Sequence, residues 1–256
     1  MDPPLVFVPV FGQLELSRRA LRALDTCTPN DVEFLVVDDS GPERVTEQWL
    51  DDVLRPSRAR QLVVNAENLG FVRSANLAFA RRNGRDVVVV NSDVVVFAGW
   101  LGHLRAAAGP RVGSVTALSN NGSIVTVPDP AAYPTVDSLS VLAAQADVVG
   151  PPPYEIPVGV GHCIYFSNEA LADVGPFDEA FSPGYGEEVD WSIRARRRGW
   201  RHMAAPGVIV WHDAGASFGR RGMLRRRHEL RLASRYPHEF LALRLRRFRG
   251  PLKPPA

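Results

Sequence analysis

The sequence predicts an α/β fold with a mostly parallel central sheet flanked by helices. Short apolar runs of strand length alternate with segments whose apolar residues recur at helical spacing, which is the pattern of βαβ units. Polar clusters follow several of these runs directly. The chain has 256 residues, of which 45% are hydrophobic, and this is enough for one sizeable core.

The first half of the chain contains four predicted strands connected by helices. The strands are predicted at 5–10, 33–37, 61–64 and 86–90. The helices are predicted at 14–24, 46–54 and 71–82. In such a Rossmann-like sheet the carboxyl ends of the strands meet at one edge, where ligands bind. The residues expected at this edge are Phe11, Asp38, Asp39 and Asn91 to Asp93.

The second half of the chain has a less regular pattern. Helices are predicted at 100–108, 138–146, 168–174 and 189–198, and strands at 112–117, 158–167 and 207–211. Seven of the thirty residues from Pro128 to Pro157 are prolines. This stretch is therefore predicted to be mostly loop and a candidate binding loop.

Several classes of enzyme are excluded by what the sequence lacks. Lys253 is the only lysine, which excludes a P-loop and lysine Schiff-base chemistry. The turn after the first strand has no GxGxxG, which argues against a dinucleotide-binding fold. Gly215–Gly219 matches the GxSxG motif of serine hydrolases, but no predicted strand precedes it. Cys27 and Cys163 have no CxxC spacing and are expected to be buried thiols.

The distribution of charge is uneven along the chain. The net charge is +2, whereas residues 220–249 contain 11 arginines and two glutamates and carry +9. An anionic membrane, a charged polymer or nucleic acid would suit this tail. The alternative is a solvated helical face or packing against the acidic body. No signal peptide and no apolar run of about 20 residues is found, so we expect a cytoplasmic, at most membrane-peripheral protein.

A first acidic cluster follows the fourth predicted strand. Asn91-Ser92-Asp93 comes directly after four valines, so its carboxylate is expected to face the ligand crevice. Hard cations prefer oxygen ligands, and Mg²⁺ or Mn²⁺ holding a diphosphate would suit this position. His212 is a candidate second ligand and would favour Mn²⁺. The alternative for His212 is a structural histidine.

A second acidic cluster lies at the start of a predicted helix. Glu187, Glu188 and Asp190 are three carboxylates within four residues. The helix dipole explains one or two acids at this place. Mutual repulsion should raise one pKa, which suits a general base. Trp191 beside them would stack on a sugar or pack in the core. The two clusters together indicate transfer of a group from a nucleoside diphosphate.

The order of these motifs resembles the family 2 glycosyltransferases of the GT-A fold, over residues 5 to 220. The first-half motifs that carry the resemblance are Val8–Phe11, Val36–Ser40, Asn68–Phe71 with Asn76, and Asn91–Val94. The second-half motifs are similar to a bacterial polysaccharide, rhamnosyltransferase-like subgroup. They are Ser119–Asn121, Gly159–Cys163, Gly175–Asp178, Gly184–Asp190, and His212 followed by Ser217–Gly219.

The resemblance implies roles for individual residues. Asp39 would bind the base, Asp38 or its neighbours the ribose, and Asp93 the metal ion with His212. The other donor-site candidates are Pro9, Phe11, Asn68, Phe71, Arg73, Asn91 and Ser92. The acceptor-site candidates are Asn120, His162 and Trp191. The position of the family's catalytic base falls on Glu188, and its longer side chain leaves the base open among Glu188, Glu187 and Asp190.

The implied function is an inverting glycosyltransferase that uses Mn²⁺ or Mg²⁺. The donor would be a UDP-, dTDP- or GDP-sugar, and a hexosyl or deoxyhexosyl group would move to a glycan, lipid-linked or small-molecule hydroxyl. The predicted parts are a donor-binding half (1–98), an acceptor-binding and catalytic half with its own subdomain (99–218) and an Arg-rich helical tail (219–256). The alternatives are a weakly active nucleotide-sugar-binding module, which the neutral Asn91 favours, and nucleic-acid binding through the tail, which ranks last. The sequence does not determine the oligomeric state, and a homodimer is one of the states that it allows.

Overall fold

The computed structural model describes residues 2–213 and 222–247. A central sheet flanked by helices forms the core of this part of the chain. Its strands are β1 (Leu5–Val10), β2 (Phe34–Asp38), β3 (Arg60–Val64), β4 (Val87–Val90), β5 (Val94–Val95), β6 (Val112–Ser119), β7 (Tyr154–Ile156), β8 (Cys163–Phe166) and β9 (Arg201–His212). The helices are α1 (Leu14–Cys27), α2 (Glu47–Val53), α3 (Phe71–Ala80), α4 (Trp100–Ala107), α5 (Val136–Val149), α6 (Asn168–Val174), α7 (Glu187–Arg197), α8 (Gly222–Arg235) and α9 (Pro237–Arg247).

The strand order is β3-β2-β1-β4-β8-β6-β9-β5, and β7 pairs with the same strand β9. Strands β1 to β4 are parallel, as the βαβ pattern predicts. The other half of the sheet is mixed, because β8 runs antiparallel to both β4 and β6. The expectation of a mostly parallel sheet is therefore confirmed only for the first half. Since β4 pairs directly with β8, the sheet is continuous across the predicted boundary at residue 98.

The alternation of side chains along the inner strands divides the core between the two faces of the sheet. Val6, Val8 and Val10 of β1 belong to one buried cluster, and Leu5 and Phe7 belong to the other. Helices cover both faces, so both sets of side chains are buried. This explains why the inner strands are continuous apolar runs in the sequence.

Three predicted elements have different bounds in the structure. The expected strand at 158–167 is confined to β8, and residues 157–162 form a loop in which Gly159 packs so closely that a Cβ there would lie 2.4 Å from Cδ1 of Ile164. Strand β9 begins six residues before the predicted 207–211, since it continues through Pro206 at a break in register with β6. Helix α5 extends beyond 138–146, because Thr135 caps it in a reciprocal pair with Ser138.

The described part of the Arg-rich tail forms two helices that pack on the body. Arg235 of α8 bonds Asp178 and the buried Asp190, and Glu239 of α9 binds Arg197 of α7. The alternative of packing against acidic groups of the body is therefore confirmed for these residues. None of the helices described is both long and apolar enough to cross a membrane. The GxSxG match at Gly215–Gly219 lies outside the described residues.

A buried ion pair joins α1 to the loop before β3. The Arg58 side chain is fully buried and donates from Nε to Asp25 Oδ1 at 2.8 Å and from Nη2 to the Thr28 carbonyl at 2.9 Å. Burial acts to raise the pKa of Asp25, but hydrogen bonds from Arg58 and Arg55 outweigh it and lower this pKa below its usual value. Without Arg58, Asp25 would keep only its bonds from Arg55, and without Asp25 the guanidinium of Arg58 would be buried with no carboxylate partner.

We expect Arg58→Ala to lower the free energy of unfolding by about 3–5 kcal/mol, because it leaves the Asp25 carboxylate buried without its main partner. Urea denaturation followed by circular dichroism measures the change. Arg22→Ala on the exposed side of α1 is the control and should be neutral. The double variant Asp25→Ala/Arg58→Ala should be less unstable than the sum of the single variants. A loss below about 1 kcal/mol for Arg58→Ala would contradict this account.

Candidate active site

A cavity of about 750 Å³ lies at the carboxyl ends of the parallel strands. Most of its lining residues fall into four groups, to which His212 and residues 121–124 are added. The strand ends contribute Pro9, Phe11, Asp39 and 91–93, and the segment after β3 contributes Asn68, Gly70 and Phe71. The loop before β8 contributes 157–162, and the loop before α7 together with the first turn of α7 contributes 183–189. Helices α8 and α9 contribute Arg225, His228, Glu229, Leu232, Phe240, Leu243 and Arg244. The predicted crevice is therefore present, and the C-terminal helices form one of its walls.

Pairing between β5 and β9 brings Asp93 and His212 together. Val94 lies opposite His212, so Asp93 reaches the same end of the ladder. Asp93 Oδ1 and His212 Nε2 are 3.6 Å apart, and both residues line the cavity. Asn120 accepts a hydrogen bond from the His212 amide at 2.7 Å and donates one to the His212 carbonyl at 3.2 Å. These bonds hold the end of β9 in place.

The hydrogen bonds of His212 determine which ring nitrogen faces Asp93. Nδ1 lies 3.0 Å from the Asn121 carbonyl, which can only accept, so Nδ1 carries the hydrogen. In the neutral ring, Nε2 then has a free lone pair beside a carboxylate oxygen, an arrangement that a cation between them stabilises. The donor set therefore fits Mn²⁺ or Mg²⁺. Among the residues described, no group of three or more His, Cys, Asp or Glu could hold a metal ion, so this pair supplies at most two protein ligands of these types.

His162 lies behind this pair. Its ring stacks on that of His212, with centroids 5.3 Å apart, and its Nε2 donates to the Ala117 carbonyl at 3.0 Å. Burial and the neighbouring His212 together lower the pKa of His162 to about 3. His162 is therefore neutral at physiological pH. It lines the cavity as a support for His212, and its ring does not gain a second proton in that range.

The two acids at the end of β2 have different surroundings. Asp39 lines the cavity, and its carboxylate accepts hydrogen bonds from the amides of Leu69 and Gly70, both at 2.8 Å. It therefore shapes the loop that carries Asn68. Asp38 is fully buried and accepts from the Val45 amide at 2.8 Å beside Arg44. These bonds hold the loop that follows β2, and Asp38 does not line the cavity. The expected contact of Asp38 with a ribose is therefore corrected to a structural role.

Glu187 and Glu188 begin α7 and face different environments. Glu188 is partly exposed in the cavity wall, and one of its oxygens accepts from the Gly186 amide at 3.2 Å. Glu187 is 5% exposed, and no described residue bonds its Oε2. Burial raises the pKa of Glu187 well above its usual range, and the adjacent charge of Glu188 raises it further. Both glutamates line the cavity, but burial favours the protonated form of Glu187, and Glu188 is the more exposed of the two acids.

Asp190, the third acid of the cluster, has a structural position. Its fully buried carboxylate accepts from Arg194, Arg235 and Tyr236, each at 2.8 Å. The bond from Arg194 lies within α7, the bonds from Arg235 and Tyr236 tie α7 to the C-terminal helices, and Asp190 does not line the cavity. Asp190 is therefore corrected from a candidate base to an anchor between α7 and the C-terminal helices.

Three further predicted contacts are also corrected. Trp191 is fully buried, donates to the Gly175 carbonyl at 2.9 Å and packs edge-on against Phe166, so it is a core residue. Arg73 points to Glu179 at 3.0 Å and does not line the cavity. Asn120 holds the backbone of β9, as described above, and the cavity is lined by its neighbour Asn121 instead.

The sequence patterns did not identify His228 on α8. This buried side chain donates from Nδ1 to the carbonyls of Gly184 and Tyr185, at 3.1 and 2.8 Å. It therefore holds the loop that leads into Glu187 and Glu188. A single histidine within an arginine-rich helix was the available signal, but only the packing of α8 shows what it contacts.

Comparisons with known proteins agree with this architecture. A model of the family described as "Glycosyltransferase like family 2" matches residues 3–229. The uncharacterized protein y4gI of Sinorhizobium fredii (strain NBRC 101917 / NGR234) is 23% identical over 230 residues, which are 84% of this chain and 25% of that protein. The chain therefore spans only a quarter of the length of this relative.

Three solved structures share the fold. GalNAc-T7 with UDP, GalNAc and Mn²⁺ has a TM-score of 0.63 at 15% identity, over 81% of this chain and 43% of that one. The mannosyltransferase PcManGT from Pyrobaculum calidifontis with GDP-Man and Mn²⁺ has a TM-score of 0.59 at 21% identity, over 99% and 66%. TarS 1–349 from S. aureus has a TM-score of 0.59 at 16% identity, over 90% and 65%.

Proposed function

The chain belongs to glycosyltransferase family 2 and has a GT-A type fold, and from this premise we propose that it is an inverting, metal-assisted transferase of a sugar from a nucleoside diphosphate. The observation that carries the proposal is the shared cavity. It joins the Asp93–His212 pair, the strand ends of the donor half and the partly exposed Glu188. The acceptor is a hydroxyl group of a glycan, a lipid-linked sugar or a small molecule.

In the proposed mechanism Glu188 acts as the general base. Its carboxylate takes the proton of the acceptor hydroxyl as that oxygen forms a bond to the anomeric carbon. The bond between this carbon and the β-phosphate oxygen breaks, and the nucleoside diphosphate leaves from the opposite face, so the configuration inverts. Burial raises the pKa of the adjacent Glu187, which acts against a second negative charge beside Glu188. General bases of this kind contribute about 10²- to 10⁴-fold.

Asp93 and His212 are the residues proposed to hold the metal ion. Mn²⁺ or Mg²⁺ would neutralise the charge that develops on the departing diphosphate. Asp39, Asn68 and Phe71 form the proposed wall for the nucleoside, with Pro9, Phe11, Asn91 and Ser92 around the phosphates.

The proposed location of the protein is the cytoplasm. Cys27 and Cys163 are free thiols, which agrees with this proposal, because disulfides are rare in that compartment.

We expect one nucleoside diphosphate to raise the melting temperature, and Mn²⁺ or Mg²⁺ to enhance the increase, because a ligand that binds only the folded state stabilises it. Differential scanning fluorimetry with UDP, dTDP, GDP and their sugars, with and without the metal ion, measures the shift. The corresponding monophosphates are the control and should give smaller shifts. If no donor shifts the folded protein, the proposed function fails. Donor binding without turnover on any acceptor or on water would support the binding-module alternative.

A further inference from the structure

Helix α8 has two faces of different character. Residues that are three, four or seven positions apart lie on the same side of an α-helix. The side that includes His228, Leu232 and Arg235 packs on the body and the cavity. Met223, Arg226, Arg227 and Leu230 share the opposite side and are all exposed. We refer to these four residues as the outward face of α8.

The outward face combines apolar and cationic side chains. Met223 is 88% exposed and Leu230 65% exposed. Among the described residues, four of the seven exposed large hydrophobic side chains lie on α8 and α9, where Leu241 and Leu245 are the other two. A single exposed leucine is ordinary, but the concentration of such side chains on two consecutive helices makes this region a candidate interaction surface.

The charges of the outward face are not neutralised by the body. Within residues 2–213 and 222–247, neither Arg226 nor Arg227 contacts a carboxylate. Other arginines of the tail are paired: Arg235 binds Asp178 and Asp190, and Arg225 binds Glu229. These ion pairs do not involve the outward face of α8, so that face keeps its positive charge.

We propose that the outward face of α8 docks on an anionic lipid bilayer. Arginines attract anionic headgroups, and apolar side chains beside them insert into the interface, which together give peripheral binding. Nucleic acid fits this face less well, because its phosphates would bind the two arginines but would give Met223 and Leu230 no apolar contact. Because α8 also lines the cavity through Arg225, Glu229 and Leu232, docking would hold the cavity close to the membrane.

Sedimentation of the full chain with vesicles tests the proposal. The protein should bind vesicles that contain about one-third phosphatidylglycerol, more weakly at high salt, and should not bind pure phosphatidylcholine. The variant Arg226→Gln/Arg227→Gln should weaken binding by about 10- to 30-fold, and Met223→Ser/Leu230→Ser by about 10-fold. The matched controls are Arg22→Gln/Arg81→Gln and Val141→Ser/Val148→Ser. The two valines are exposed and have the same spacing of seven residues, on α5.

Two results would overturn the proposal. One is absence of binding to anionic vesicles at low salt by the folded wild-type protein. The other is binding to duplex DNA or RNA, without vesicle binding, that depends on Arg226 and Arg227 but not on Met223 and Leu230. All variants lie outside the proposed catalytic machinery, so donor-dependent thermal shifts should be unchanged. Loss of vesicle binding and failure of the transferase proposal can therefore be distinguished.

Discussion

Glu188→Gln should lower the turnover number for sugar transfer by about 10²- to 10⁴-fold while donor binding persists. Glutamine keeps the size of the side chain but cannot accept a proton. The contacts proposed for the donor lie at the strand ends and at Asp93, so the substitution leaves them in place. Release of nucleoside diphosphate measures turnover, and the donor-dependent thermal shift measures binding. If both are lost together, Glu188 acts in donor binding or folding and is not the base.

Glu187→Gln is the matched control at the adjacent position. Because burial raises the pKa of Glu187 and so favours its protonated form, the neutral amide resembles that form of the side chain. We therefore expect turnover to remain within about 10-fold of the wild type. A collapse with Glu187→Gln combined with near-normal activity of Glu188→Gln would reverse the assignment and make Glu187 the base.

The effect of Glu187→Gln on stability should depend on pH, and the sign of this dependence is defined. The pKa of Glu187 is raised in the folded protein above its ordinary value of 4.5. The unfolded chain therefore loses this proton first as the pH rises, and the contribution of Glu187 to stability declines from about pH 4.5 upward and is gone above its folded pKa. Glu187→Gln lacks this decline. Its melting temperature relative to the wild type should rise between about pH 4 and pH 8, whereas an unchanged difference would contradict a raised pKa.

Asp93→Asn should weaken binding of Mn²⁺ in the presence of nucleoside diphosphate by about 10- to 100-fold. The substitution removes the carboxylate of the proposed pair and leaves only His212. Electron paramagnetic resonance of free Mn²⁺ measures binding directly and does not depend on turnover. Transfer activity at a fixed low metal concentration should fall in parallel.

Two further variants make the metal experiment specific. Asn91→Asp adds a carboxylate at the first position of the motif, on the cavity wall, and should tighten Mn²⁺ binding, because affinity increases with the number of charged ligands. Asp52→Asn on the exposed side of α2 removes one negative charge far from the cavity and should have no effect. Equal effects of Asp93→Asn and Asp52→Asn would mean that only the net charge of the protein matters.

The motifs after the strands could be predicted because they depend on local chain properties. Asn91 to Asp93 lie at the end of a run that is apolar throughout, and parallel strands place such ends at one edge. The roles of the acids at 187, 188 and 190 could not be separated in this way. All three are carboxylic acids within four residues of the sequence, and they differ in burial and in their partners. The arginines that neutralise Asp190 come from positions 194 and 235, and the second of these is remote in the chain.

The sequence by itself determined the α/β class, the donor half with its parallel strands, the family and the residues Asp93, His212 and Glu188 as candidates. These follow from periodicity and from the order of short motifs, which are local properties. Only the tertiary structure decided that β8 runs antiparallel, that Asp38, Asp190 and Trp191 are structural, and that α8 lines the cavity with one side and exposes the other. Those features depend on which distant segments pack together, and hydrophobic and ionic contacts between remote residues leave no periodic signal in a single sequence.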